Sequence, residues 1–254
     1  MKKLLAITAL SAALFFGQTA VAEEKAAEEV KPSHVEMVLV LDESGSMSDL
    51  TRDTIGGFNS MIEKEKKLDV DAHVTTVLFN DQYKMLYNRR ELKDVSKMTD
   101  KDYTPGGMTA LLDAVGRTIH KMDMVAGIHR KDKGNKVLFV IITDGEENDS
   151  KEYTYADVKK LIKDRQENAG WEFIFLGANI DAAAAAENLG IDRDRAVKYK
   201  NTGSGVRANF KAVAELSDSP AKSGRVSDRW KETVEKDEDD AADKQSAAVT
   251  SHRR

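Results

Sequence analysis

Three hydroxyls and two carboxylates in this chain stand where their oxygens could share one small, hard cation. Asp42, Ser44 and Ser46 are spaced two apart in Asp-Glu-Ser-Gly-Ser, directly after the apolar run Val38-Leu39-Val40-Leu41. Thr109 follows a Pro-Gly-Gly-Met loop, and Asp144 ends a second apolar run, from Val137 to Ile142, with Gly145 behind it. An all-oxygen set of this kind suits Mg²⁺ or Mn²⁺ and not a soft metal. Each piece also has a plainer use. Asp and Ser after a strand form turns and cap helices, and Thr109 stands where a helix N-cap would stand. Taken alone, the Asp-x-Ser-x-Ser turn leaves both uses open. The pairing of Asp42 with Asp144 favours the ion. Two central strands that finish in Asp at the same sheet edge bring the carboxylates together, and buried carboxylates repel unless a cation lies between them.

The elements around these residues are readable from periodicity. Val38 to Leu41, within a strand from about Val35 to Leu41, and Val137 to Ile142 are continuous apolar runs, as expected for parallel strands buried on both faces. Ile55, Phe58, Met61 and Ile62 form an amphipathic helix between them, with Gly56-Gly57 inside it permitting close packing on the strands. Val70 to Phe79 and Tyr83 to Tyr87 are joined by a tight Asn80-Asp81 turn and form an antiparallel hairpin; His73, alone in the first of these strands, is assigned a structural role. Leu111, Ala114, Val115, Ile119 and Met122 make the helix after the Thr109 loop. Further on come a helix through Tyr155, Val158, Leu161 and Ile162, and a strand from Trp171 to Gly177. An alanine-rich helix follows, capped by Asp181 and ended by Gly190, then an edge strand from Ala196 to Tyr199 and a closing helix through Val206, Phe210, Val213 and Leu216. The alternation predicts an α/β fold, Rossmann-like and doubly wound, with a mostly parallel sheet, one antiparallel edge strand and helices on both faces. Ligands of such sheets bind at the carboxyl ends of the strands.

Asp42-x-Ser44-x-Ser46, Thr109 in Gly-Gly-Met-Thr-Ala-Leu, and Asp144 in Ile-Thr-Asp-Gly resemble the metal-ion-dependent adhesion site of von Willebrand factor type A (VWA) domains. Integrin I domains and many bacterial proteins share that site. The resemblance spans about Val35 to Leu216. It implies that Ser44, Ser46 and Thr109 contact Mg²⁺ or Mn²⁺, with Asp42 and Asp144 acting often through water. It also implies that a partner protein's Glu or Asp carboxylate completes the coordination, with Glu43, Met47, Met108 and Glu146 tuning which partner fits. The partner itself is not specified, and no enzymatic activity is implied.

Composition sets limits around this reading. Net charge is −5 in 254 residues, which does not favour a nucleic-acid partner. The absence of cysteine removes disulfides, thiolate metal sites and a cysteine nucleophile. Residues 1–22 read as a signal peptide: Lys2 and Lys3, an apolar run from Leu4 to Phe16, and Ala20-Val21-Ala22 before the cut. The run is short for a membrane span, so a periplasmic or secreted protein is expected. An acidic linker (23–33), a VWA domain (34–217) and a flexible charged tail (218–254), with a short helix near Trp230 to Lys236, complete the expected organisation. The alternative is a Mg²⁺-dependent hydrolase or phosphoryl-transfer enzyme using Asp42 and Asp144. The chain has no Asp-x-Asp after its first strand, no Gly-x-Ser-x-Gly and no Gly-x-x-x-x-Gly-Lys-Ser/Thr, the motifs of three such chemistries.

Overall fold

The structure is a computed structural model that describes residues 34–68, 71–125, 135–223 and 229–236. The expected signal peptide, the linker and residues 237–254 lie outside the described residues.

The first strand, β1 (His34–Asp42), pairs in parallel with β2 (Ala72–Phe79) on one side and β4 (Asn135–Thr143) on the other. β3 (Tyr83–Glu91) pairs antiparallel with β2, while β5 (Glu172–Gly177) and β6 (Ala196–Lys198) extend the parallel side. The order is β3-β2-β1-β4-β5-β6, a six-stranded sheet with one antiparallel edge. β1 and β4 are central, so both of their faces must be covered, and the apolar runs Met37–Leu41 and Val137–Ile142 supply that.

Side-chain alternation divides β1 between two cores. Val35, Met37, Leu39 and Leu41 point towards α1 (Thr51–Lys67) and α5 (Gly203–Ser223). Val38 and Val40 point the other way, towards α2 (Leu111–Asp123), α3 (Tyr155–Asp164) and α4 (Ala182–Leu189). The glycine pair in α1 has one working member. A Cβ on Gly57 would stand 2.5 Å from the buried Phe210 ring of α5, whereas nothing lies within 4 Å of Gly56. The expected caps of α4 are present: the Asp181 side chain accepts from Ala184 N, and Gly190 closes the helix with φ of 83°.

The structure adds detail at the C-terminal side. α5 runs to Ser223, past the expected end of the domain near Leu216. The short helix expected near Trp230 spans 229–236, and its Trp230 and Val234 are buried in the core beneath α1 and α5. Thr233 Oγ1 donates to Glu215 Oε2 of α5 at 2.8 Å. None of the described helices is long and apolar enough to cross a membrane.

Candidate metal centre

The register of the central strands places the predicted residues. Asp42 closes β1 and Asp144 follows β4, the neighbouring strand, so both carboxylates lie at the carboxyl edge of the sheet. Both residues are buried, Asp42 at 1% and Asp144 at 2% relative exposure. The backbone of Asp42-Glu43-Ser44 turns back on itself, with Ser44 N donating to Asp42 Oδ1 at 2.7 Å. Ser46 Oγ donates to Asp144 Oδ1 at 2.6 Å and stands 3.1 Å from Ser44 Oγ. Four of the five predicted residues are therefore linked through one cluster of oxygens.

Thr109 arrives from a third loop. It is not the cap of α2: the N-cap is Ala110, with no side-chain cap bond. The Thr109 hydroxyl instead lies beside Gly145, 3.8 Å from where a Cβ on that glycine would stand. Thr109 N donates to Asn148 Oδ1 at 2.9 Å and Asn148 N donates back to Thr109 O at 3.0 Å, tying this loop to the one after β4. Gly45 N donates to Gly107 O at 3.2 Å and Gly106 N to Glu43 O at 2.9 Å, tying it to the first loop. Gly107 is required where it stands. Its φ is 76°, and a Cβ there would fall 1.9 Å from Asp81 Oδ1.

Several supporting residues were not singled out from the sequence. Thr143 Oγ1 donates to Asp42 Oδ2 at 2.6 Å. Its position directly before Asp144 was the available signal. Tyr103 donates its hydroxyl to Asp42 O at 2.7 Å, and Asn201 Nδ2 lies 3.3 Å from Asp144 Oδ2. Asn201 is 57 residues from Asp144, and no spacing rule connects them. Burial pushes the Asp42 carboxyl above its ordinary range; the Ser44 and Thr143 hydrogen bonds oppose this, and the charge of Asp144 adds to it. Burial also raises the Tyr199 phenol well above its usual range, with the charges of Asp144 and Asp42 contributing.

Two of the four residues expected to face a partner do not. Met47 is 1% exposed and belongs to the core under α1. Glu43 is 4% exposed, and its Oε1 accepts from both the backbone N–H and the hydroxyl of Thr104. The turn after β1 and the short 3₁₀ segment that follows it direct Glu43 and Met47 inwards. Met108 and Glu146 are exposed. Beside the site a cleft of about 290 Å³ is lined by Leu111, Gly145, Glu146, Tyr155, Phe175 and Ile180.

The residues present fit a hard divalent ion. The converging donors are all oxygen, and two buried carboxylates share one small region with hydroxyls from separate loops. Two buried polar atoms nearby, the Tyr199 hydroxyl and Asn201 Oδ1, find no protein hydrogen-bond partner.

A family profile described as vWA-TerF-like, the vWA found in the TerF C terminus, matches residues 34–190. The chain belongs to the VWA family. VWA domains are often adhesion or protein-binding modules and are usually non-catalytic. No curated protein sequence matches this VWA protein significantly. Among solved structures it is similar in fold to the pilus adhesin SpaC of Lactobacillus rhamnosus GG. The TM-score is 0.56 at 15% identity, over 74% of this chain and 30% of that one. The D319A mutant of the PilB minor pilin from Streptococcus sanguinis gives 0.54 at 12% identity, over 76% and 64%. The vWF domain of the type V pili tip protein Mfa5 from Porphyromonas gingivalis gives 0.52 at 12% identity, over 76% and 98%. The chain spans less than two thirds of the length of the first solved structures it matches.

Proposed function

We propose that this VWA domain is a metal-dependent protein-binding module for adhesion or assembly, holding Mg²⁺ or Mn²⁺ through Ser44, Ser46 and Thr109 with Asp42 and Asp144 behind them. The observation that carries the reading is the oxygen cluster Ser44–Ser46–Asp144, joined at the sheet edge to the buried Asp42 and to the Thr109 loop. A bound ion would supply a Lewis-acidic point of attachment for an external carboxylate. The protein's part is to hold the hydroxyls in place and to keep the two aspartates buried beside them. An ion held largely by neutral hydroxyls keeps much of its charge, so a Glu or Asp of a partner protein is the complementary ligand. The exposed Met108 and Glu146 and the cleft beneath Tyr155 then provide the surface that discriminates among partners. Pilus components among the fold relatives make an adhesive or assembly role the natural class to test.

The hydrolase reading has less support. Ser44 and Ser46 bond to each other and Ser46 donates to Asp144, while His34 and His73, which could serve as a base, lie at the opposite end of β1 and β2. Export to the periplasm or beyond is part of the proposal and rests on the basic start, apolar run and Ala-x-Ala sequence; mass spectrometry of the native protein should find Glu23 as its first residue.

Affinity capture from the native cell envelope in millimolar Mg²⁺ tests the central claim. A partner should be retained by the wild type, released by EDTA and absent with Thr109→Ala. A partner held equally in all three conditions would place recognition elsewhere on the protein.

A further inference from the structure

At the other edge of the sheet, β1 and β2 begin with a second set of metal-ligating side chains. His34 and Glu36 share one face of β1, and the parallel register sets His73 of β2 beside Glu36. The three offer a nitrogen each from the histidines and one carboxylate oxygen, all within 4.8 Å of one another. His73 Nδ1 is 2.7 Å from His34 Nε2, His34 Nε2 is 3.0 Å from Glu36 Oε1, and His73 Nδ1 is 3.5 Å from the same oxygen. A point about 2 Å from all three atoms exists roughly 1 Å off their plane, which is the ligand distance of a first-row ion bound by imidazole and carboxylate.

We infer that His34, Glu36 and His73 form a binding site for a divalent transition-metal ion of the zinc class, separate from the oxygen site at the carboxyl edge. The donor set is two imidazole nitrogens and one carboxylate, which selects zinc, cobalt, nickel or copper over magnesium. A second observation concerns the outer face of the ligand. His34 Nδ1 lies 3.1 Å from Asp71 Oδ1. A carboxylate on the far nitrogen of a ligating histidine fixes the tautomer that leaves the near nitrogen free to bind, and it raises that nitrogen's basicity. Glu36 is likewise held in place: Arg89 Nε donates to both of its oxygens at 3.1 Å, and Arg89 Nη2 donates to Oε1. Arg89 stands on irregular backbone, with φ of 45°, beside a bulge in the β2–β3 pairing.

The same contacts define what the ion must displace. Two ring nitrogens 2.7 Å apart are joined through one shared proton, since one must donate and the other accept. The ion takes the place of that proton, which leaves to solvent, and the 3.3 Å contact between Arg89 Nη2 and His73 Nδ1 is given up. A tetrahedral ion would hold its ligand atoms about 3.3 Å apart, so the histidine pair opens by about 0.6 Å and the other two edges change by a few tenths. Affinity should therefore rise with pH as the proton is lost more easily.

The test uses the full chain, stripped of metal and held in millimolar Mg²⁺ so that the oxygen site is supplied. Co²⁺ is the probe, read by visible absorption, with Zn²⁺ in competition. The wild type should bind one Co²⁺ with the intense bands of a low-coordinate nitrogen-bearing site, and Zn²⁺ should remove them. His34→Gln and His73→Gln should lose the bands, and Asp71→Asn should keep them with affinity lowered about 10-fold or more. Asp42→Asn, at the distant oxygen site, should leave the bands unchanged. Histidine ring ¹⁵N spectra of the wild type supply a reading that needs no variant: Zn²⁺ should shift His34 Nε2 and His73 Nδ1. Absence of bands in the wild type, bands surviving in both histidine variants, or ring nitrogens unmoved by Zn²⁺ would overturn the site. Loss of the bands in Asp42→Asn would assign them to the oxygen site instead.

Discussion

Replacing Asp42 by Asn should cost stability chiefly when metal is present. The side chain is buried, accepts from Ser44 N at 2.7 Å and Thr143 Oγ1 at 2.6 Å, and feels the charge of Asp144. Asn has the same shape. Its oxygen can keep the Ser44 bond, and its amide can donate to Thr143 Oγ1, whose own proton then turns to Gly145 O at 3.2 Å. In EDTA two terms oppose. Hydrogen bonds to a charged acceptor are worth about 1 kcal/mol more each than neutral ones. Against that, the variant removes a buried charge and its repulsion from Asp144. The difference in EDTA should stay within about 1 kcal/mol of zero. With Mg²⁺ at a hundred times its dissociation constant, the wild type gains about 2.7 kcal/mol by mass action. At about 2–4 °C per kcal/mol for a domain of this size, that is a rise in Tm of roughly 5–10 °C. The variant loses one of the two aspartate charges behind the ion and should rise by less than half as much. Thermal melts of both proteins in EDTA and in Mg²⁺ make the measurement. An equal metal-induced rise in the two proteins, or none in the wild type, would refute the assignment of Asp42 to the ion.

Three further outcomes follow from contacts described above. Gly57→Ala gains about 1 kcal/mol of helix propensity but forces a methyl to 2.5 Å from the Phe210 ring; overpacking of about 1–3 kcal/mol should prevail, and the melt should fall. Gly107→Ala meets Asp81 Oδ1 and an unfavourable φ together, so it should cost about 1–3 kcal/mol and weaken Mg²⁺-induced stabilisation, as judged by the same melts. Asp113 accepts backbone N–H bonds from Lys151, Glu152 and Tyr153. Burial alone would raise its carboxyl, but those bonds hold it below the usual carboxylate range. Its folded pKa is thus depressed, so its contribution is present above about pH 4 and lost as pH falls through the folded value. Asp113→Asn should lower stability at pH 7 by about 2 kcal/mol and flatten the acid limb of a stability–pH curve.

The parts of the fold set by repeating patterns were legible, because burial on one or both faces leaves a period in the sequence. Val35 to Leu41 and Val137 to Thr143 had to be central strands, and Gly190 had to end a helix. At the carboxyl edge, Asp42, Ser44, Ser46 and Asp144 were legible because each sits at a fixed offset from a strand end. Residues that join the site across long separations left no such trace. Asn201 reaches Asp144 only because β6 lies two strands from β4 and α5 starts just beyond it. The turn after β1 hid the inward course of Glu43 and Met47, since alternation stops where the strand does. His73 was read as a solitary histidine. Its neighbours His34 and Glu36 belong to another strand, and only the β1–β2 register brings them together.

The oxygen site at the carboxyl edge is also a clock. Ser46 and Asp144, whose side chains meet, are separated by 98 residues of chain. A ribosome adding about 5–20 residues each second needs roughly 5–20 s to pass from one to the other. Over that interval β1, β2 and the Thr109 loop are all made, but β4, the strand that carries Asp144 to the site, is not. A growing chain therefore has no oxygen site with which to sequester an ion. On the proposed function an ion would be held only once β4 lies in register beside β1, so it would certify that the centre of the sheet has been assembled.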